Sequence, residues 1–277
     1  MARGRRGGRW SRGTIILFTG VVVYLALLLL LPLGALVAQV VETGLGSLFR
    51  ELLAFDAVRA LELSLILAVI AAVVNGIFGV AAGIVFVRHR FFGRKLLDAL
   101  SDMPLSVSPV MVGLAFILIF GRGGWFAPLL DIVHLKVTFA FAGLVIATLF
   151  VTLPFTLREV SYVLLELGTE EEEAAAILGA SPWQIFFRVT LPNIKNALAY
   201  GVTLTIARAL GEFGAVLILG GAISGKTQTG TTFINTAMEE RRDGAAYGMA
   251  LVLAVASVLL LLVLEALKKV EIKEEEK

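Results

Sequence analysis

Long stretches without a single Asp, Glu, Lys or Arg constrain this 277-residue chain more than any other feature. The hydrocarbon core of a bilayer, about 30 Å thick, requires about 20 apolar residues of helix. Five uncharged stretches reach that size, and a sixth is interrupted only by Arg208 and Glu212. Since 58% of the residues are hydrophobic, we predict an all-α integral membrane protein. Its six transmembrane helices are predicted at about 14–41, 63–87, 103–121, 137–157, 196–222 and 244–264.

The distribution of Lys and Arg predicts the direction of these spans. With a cytoplasmic N-terminus, sixteen of the 24 basic residues fall on the cytoplasmic side. Because cytoplasmic loops carry the excess of basic residues, we expect a multi-pass protein of the plasma membrane with both termini in the cytoplasm. The expected organisation is a basic cytoplasmic segment at 1–13, one transmembrane domain at 14–267 and a charged cytoplasmic tail at 268–277.

The loop at about 168–191, between the fourth and fifth spans, has the local signals of two short helices. Thr169 and Glu172 have the spacing of a capping box, and Ser181 and Gln184 repeat it. Gly179 between them permits a left-handed turn, and the second helix is expected to end before Pro192. Such an elbow can dock into a groove of another protein or serve only as a connector on the membrane surface.

The residues of this loop resemble the EAA signature of permease subunits of ABC importers, with Val189 where isoleucine is usual. The matching residues are Glu173, Ala174, Ala175, Gly179, Leu191 and Pro192. The resemblance implies the fold of a type I importer permease. It also implies that this loop is the coupling helix that fits a cleft of a cytoplasmic ATPase.

Residues 88–114 and 207–216 are similar to the corresponding regions of sulfate, molybdate and tungstate permeases. The similarity implies an oxyanion cargo, with molybdate or tungstate ahead of sulfate. It further implies a homodimer of permeases, two ATPase subunits that bind ATP and magnesium, and an external solute-binding protein. The chain itself is then a transport subunit without enzymatic activity or a cofactor. The alternatives are an importer for another solute such as phosphate, and an ATP-independent channel or secondary carrier.

Two groups of polar residues near the spans are candidates for the translocation pathway. Arg208 and Glu212 are four residues apart and can pair on one helix face, either as part of a gate or as a structural pair. Pro104 and Pro109 free backbone groups at the start of the third span, so Ser106, Ser108 and Pro109 either line a wet cavity or cap the helix.

Catalytic, metal and nucleic-acid sites find no support in the sequence. The chain has no cysteine, and its two histidines, His89 and His134, have no ligand spacing around them. The net charge of +2 gives no reason to expect a nucleic-acid partner. The lipid bilayer is the partner that the composition predicts.

Overall fold

The computed structural model describes residues 12–275, and this part of the chain is helical without a β-strand. Residues 1–11 and 276–277, which hold most of the predicted basic N-terminal segment and the end of the tail, lie outside the described residues. The described part of the chain includes one five-residue π-helix, Phe186–Thr190. The α-helices are α1 (Arg12–Thr43), α2 (Leu45–Leu52), α3 (Phe55–Arg88), α4 (Arg94–Ser101), α5 (Met103–Ser106), α6 (Pro109–Phe120), α7 (Ala127–Ile132), α8 (Phe141–Leu167), α9 (Glu170–Ile177), α10 (Pro182–Ile185), α11 (Leu191–Leu210), α12 (Gly214–Gly220), α13 (Gly230–Glu239) and α14 (Asp243–Glu275).

Four helices in the described residues are individually long and apolar enough to cross a bilayer: α1, α3, α8 and α14. A fifth span is formed by the helical run from Pro182 to Leu210 together with α12, which meet at a bend of 56°. All five coincide with predicted spans. The helices α3 and α8 extend beyond the uncharged stretches, because a membrane helix continues into the interfacial layers, where charged residues are hydrated.

The third predicted span, 103–121, is divided into α5 and α6 rather than forming one helix. The backbone is extended at Val107 and Ser108, as expected for residues that lead into Pro109. The 12 residues of α6 rise about 18 Å, which is less than the thickness of the hydrocarbon core. This segment therefore does not cross a bilayer as a single straight helix.

Close packing of α3, α8 and α11 forms the centre of the bundle. A Cβ atom at Gly79 of α3 would lie 2.9 Å from the backbone nitrogen of Leu157, and one at Gly201 of α11 would lie 2.7 Å from Cα of Thr156. The buried Asn75 amide donates to the carbonyl of Leu149 at 2.9 Å. Small residues thus bring the backbones together, and buried polar groups are satisfied between helices.

The first helix lies at the periphery of this bundle. In the most apolar 18-residue part of α1 no residue is buried, whereas 50% of the residues in the corresponding part of α3 are buried. Its contacts are chiefly with α2 and α14. Its long apolar surface is suited to a lipid environment.

Candidate functional site: a helical elbow and a broken span

The predicted elbow is formed by α9 and α10, and we use the name elbow for residues 169–185. Gly179 between the two helices has a φ of +86°, which is the left-handed conformation that glycine adopts without steric cost. Ser181 caps α10: its backbone N–H donates to Oε1 of Gln184 at 2.8 Å, and its hydroxyl accepts from the Gln184 N–H. The turn and the second capping box are therefore confirmed.

The predicted capping box at Thr169 and Glu172 is wrong. Thr169 makes no side-chain cap, and its hydroxyl donates instead to the Glu173 carboxylate at 2.6 Å. Glu172 forms an ion pair with Arg88 at the end of α3, with 3.0 Å between Nε and Oε2, and accepts a 2.8 Å hydrogen bond from the Thr190 hydroxyl. A charged partner from a distant helix competes successfully with the local backbone N–H, since a partly buried arginine–carboxylate ion pair is the stronger interaction.

The second helix of the elbow does not end before Pro192, contrary to the prediction. The chain continues from α10 through the π-helix into α11, whose second residue is Pro192. A π-turn provides the local adjustment that a proline in a continuous helix needs. Leu191 packs against the core between α3 and α8. The signature residues are thus divided between the elbow, which holds Glu173, Ala174, Ala175 and Gly179, and the base of α11, which holds Leu191 and Pro192.

The tip of the elbow is an apolar surface that the sequence analysis did not single out. Ile177 is 86% exposed, Leu178 is 87% exposed and Trp183 is 73% exposed. Apolar side chains flanking Gly179 in an otherwise acidic loop were the available signal. Exposed apolar residues grouped on a protruding turn are typical of a docking surface.

Arg158 of α8 binds the segment that connects α3 to α6. Its guanidinium forms two bonds to the Asp102 carboxylate, with 2.6 Å from Nε and 2.7 Å from Nη2, and a third of 2.7 Å to the Asp98 carboxylate. In the sequence, Arg158 is recognisable only as one of the sixteen basic residues that predict the direction of the spans. Its partners are 56 and 60 residues away, so no local pattern could identify them.

Arg208 and Glu212 form the predicted pair at the break between α11 and α12. Nη1 of Arg208 lies 2.6 Å from Oε2 of Glu212, whose side chain is only 2% exposed. Glu212 lies in the break itself rather than on the helix, and its other carboxylate oxygen accepts from the N–H of Ala215 at 3.0 Å. One carboxylate therefore neutralises the arginine and also satisfies a free N–H group at the start of α12.

The two broken segments of the bundle meet beside this pair. A Cβ atom at Gly214, the first residue of α12, would lie 3.1 Å from Pro109 Cβ and from the backbone nitrogen of Val110. Pro109 is thereby brought next to the Arg208–Glu212 break, as its predicted place in the pathway requires. Ser106 and Ser108 are exposed, and the Ser108 side chain does not cap α6.

Another ionic cluster lies between α13 and α14, at the end of the bundle opposite the elbow. Arg242 is 3.0 Å from Asp56 and 3.6 Å from Glu240, and its guanidinium lies 5.6 Å from the centre of the Phe233 ring. The hydrogen bond to Asp56 raises the pKa of Arg242 above its ordinary value. The run of charges at 239–243 is therefore tied to the start of α3.

Within residues 12–275, no three His, Asp or Glu side chains are grouped closely enough to hold a metal ion. His89 and His134 lie in separate connections, after α3 and after α7.

The sequence of this chain matches a family described as binding-protein-dependent transport system inner membrane component, over residues 75–270. It is 44% identical to the sulfate transport system permease protein CysW of Synechococcus elongatus over 246 residues, 89% of this chain and 86% of the relative. Two Escherichia coli proteins are also similar. The CysW protein of Escherichia coli is 43% identical, and the match covers 82% of this chain and 76% of that protein. The CysT protein of Escherichia coli is 38% identical, and the match covers 93% of this chain and 91% of that protein.

The fold resembles that of a solved transporter. A chain of a bacterial alginate ABC transporter, crystallised in complex with an alginate-bound periplasmic protein, superimposes with a TM-score of 0.77 over 90% of this chain and 91% of its own. At 16% sequence identity, this similarity concerns the fold alone. The all-α permease fold predicted from the sequence is confirmed.

Proposed function

Because this chain belongs to the family of binding-protein-dependent transport system inner membrane components, the permease subunits of ABC importers, we propose that it forms part of the translocation pathway for sulfate. The observation that carries the proposal is the 44% identity to a sulfate permease over 89% of the chain. The prediction that molybdate or tungstate comes ahead of sulfate is reversed here, because the similar proteins CysW and CysT are both sulfate permeases. As a permease subunit the chain is not an enzyme. A stand-alone channel or carrier is also disfavoured by the family.

The elbow is the proposed docking element for the ATPase that binds ATP and magnesium. Its exposed tip supplies apolar contacts. Glu173, Ala174 and Ala175 lie on α9, and Gly179 lies in the turn that joins α9 to α10. Movement of the docked ATPase would reach the membrane directly, since the elbow is continuous with α8 on one side and α11 on the other. When the two ATPases bind ATP and close, the cavity between the two permeases would thereby open outward. Hydrolysis of ATP would reverse the movement.

The broken span is the proposed gate, formed by Arg208 and Glu212 with Ser106, Ser108 and Pro109 nearby. The α11 helix joins the base of the elbow to Arg208, so displacement of one end shifts the other. Arg208 is offset by Glu212, so it offers a passing dianion a weak contact rather than a tight site. Weak contacts are what conduction requires.

The direction of the chain in the membrane is proposed from the distribution of basic residues. Residues 14–267 would form one transmembrane domain of the plasma membrane, with the flanking segments and the elbow in the cytoplasm. Since the chain has no cysteine, single-cysteine variants report topology cleanly. Ala180→Cys should be labelled by an impermeant maleimide only in inverted vesicles and Lys226→Cys only in intact cells. The reverse pattern would contradict this direction.

The second permease of the transporter is proposed to be a different chain. The predicted homodimer is not supported, because two differently named sulfate permeases of Escherichia coli are similar to this chain. The test co-expresses a tagged copy of this chain, an untagged copy and the second sulfate permease of the same organism. We expect the tagged copy to retain the second permease on purification. Retention of the untagged copy instead would support the homodimer and contradict this proposal. An external binding protein would deliver sulfate to the pair.

A further inference from the structure

The orientation of α9 in the elbow is weakly fixed by its own backbone. Gly168 precedes the helix with a φ of +67°, and Gly179 follows it with a φ of +86°. Neither glycine has a neighbouring atom within 4 Å of the position that a Cβ atom would occupy. No residue of α9 is buried. Glycine is the least restricted residue, so side-chain contacts must determine the angle between α9 and the bundle.

One partly buried ionic cluster makes such a contact. Arg88, the last residue of α3, donates from Nη1 to the Leu164 carbonyl of α8 at 3.0 Å. Its Nε and Nη2 face the two carboxylate oxygens of Glu172 at 3.0 and 3.3 Å. The side chains are only 12% and 21% exposed. A single guanidinium thus ties together α3, α8 and α9, and the Thr190 hydroxyl adds a bond to Glu172 from the π-helix.

A further polar contact from α9 to the rest of the bundle is weaker. Asn193 of α11 donates to the Glu171 carboxylate at 2.6 Å, but this pair is exposed to solvent. An exposed contact contributes little to a fixed orientation, whereas the partly buried ion pair of Arg88 and Glu172 is less screened by water and includes a charge-assisted hydrogen bond.

We propose that Arg88 and Glu172 are positioning residues that hold α9 at a fixed angle to α3 and α8. They thereby convert movement of the docked ATPase into movement of the permease helices. The inference rests on the proposed docking role of the elbow. Without the pair, α9 would pivot on its two glycines, and the ATPase would hydrolyse ATP without moving α3.

The test compares Glu172→Ala with Glu166→Ala in the complete importer, with its ATPases, second permease and binding protein in proteoliposomes. Glu166 is an exposed residue near the end of α8, outside the elbow, and its removal changes the charge equally. We expect Glu172→Ala to assemble and to hydrolyse ATP while the sulfate imported per ATP falls about tenfold, a typical size for coupling between sites. Glu166→Ala should keep the wild-type ratio.

An unchanged ratio in assembled Glu172→Ala would overturn the inference, as would import and hydrolysis that fall in proportion, because a purely structural role predicts the latter. If Glu172→Ala does not assemble, Arg88→Lys decides: it keeps the charge but loses the planar guanidinium that bonds the Leu164 carbonyl and Glu172 together. An intermediate ratio is therefore expected, and a wild-type ratio refutes the proposal. Leu178→Asp separates this inference from the proposed function. If that variant still imports, the docking role itself fails. If it abolishes import while Glu172→Ala keeps the ratio, only the positioning role fails.

Discussion

Replacing Leu178 with aspartate is expected to abolish ATP-driven import while the permease remains folded in the membrane. Leu178 is 87% exposed, so its replacement removes little from the folded structure. In the docked complex, however, the aspartate would be an unpaired charge on an apolar surface, which costs several kcal/mol. Since each 1.4 kcal/mol is tenfold in affinity, we expect binding of the ATPase to weaken by about a hundredfold or more. Co-purification of the ATPase and ATP-dependent uptake measure the two effects.

A matched control for this variant is Phe92→Asp. Phe92 is fully exposed in the connection between α3 and α4, at the same end of the bundle as the elbow but outside it. The Phe92→Asp variant introduces the same charge as Leu178→Asp, and we expect it to retain the ATPase on purification. Normal recruitment of the ATPase by Leu178→Asp would contradict the docking role of the tip.

Replacing Glu212 with leucine is expected to produce the largest loss of folded protein. Glu212 is the partner of Arg208 and also satisfies the N–H of Ala215. Its removal leaves the buried N–H of Ala215 without an acceptor, which costs about 1–3 kcal/mol, and leaves the partly buried Arg208 without its counter-ion. The yield of monodisperse protein and the midpoint of thermal unfolding should both fall clearly below those of the wild type.

The double variant Arg208→Met and Glu212→Leu separates the two roles considered for this pair. Replacing both charges with apolar residues removes the uncompensated charge, and such replacements are often neutral for stability. We therefore expect the double variant to unfold at a higher midpoint than Glu212→Leu, though below the wild type because the N–H of Ala215 still lacks its acceptor. It should import poorly, since the proposed gate is lost. Recovery of both stability and import would assign the pair a purely structural role.

The membrane spans were predictable because lipid imposes a demand that a sequence displays directly. The uncharged stretches within α1, α3, α8 and α14 are recognisable without any knowledge of their neighbours. The break between α11 and α12 was not recognised, although Gly211 and Glu212 lie there. A glycine and an ion pair are also compatible with a continuous helix, and only packing against α6 shows where the chain bends.

The candidate site was predictable where its interactions are local. The Ser181 cap and the left-handed Gly179 follow from residues within a few positions of each other. The partner of Glu172 does not, because Arg88 is 84 residues away and local spacing favoured Thr169 instead. The exposed tip also required the structure, since the sequence alone does not show whether Ile177 and Leu178 face the bundle or solvent.

ATP-dependent uptake of radiolabelled sulfate tests the central claim most directly. Proteoliposomes should contain this chain, the second permease and the ATPases, with the binding protein outside and ATP inside. We predict uptake that requires both ATP and the binding protein and that excess unlabelled sulfate suppresses more strongly than molybdate, tungstate or phosphate. Uptake without the ATPase, or uptake of one of the other anions in preference to sulfate, would contradict the assignment of this chain as a sulfate importer permease.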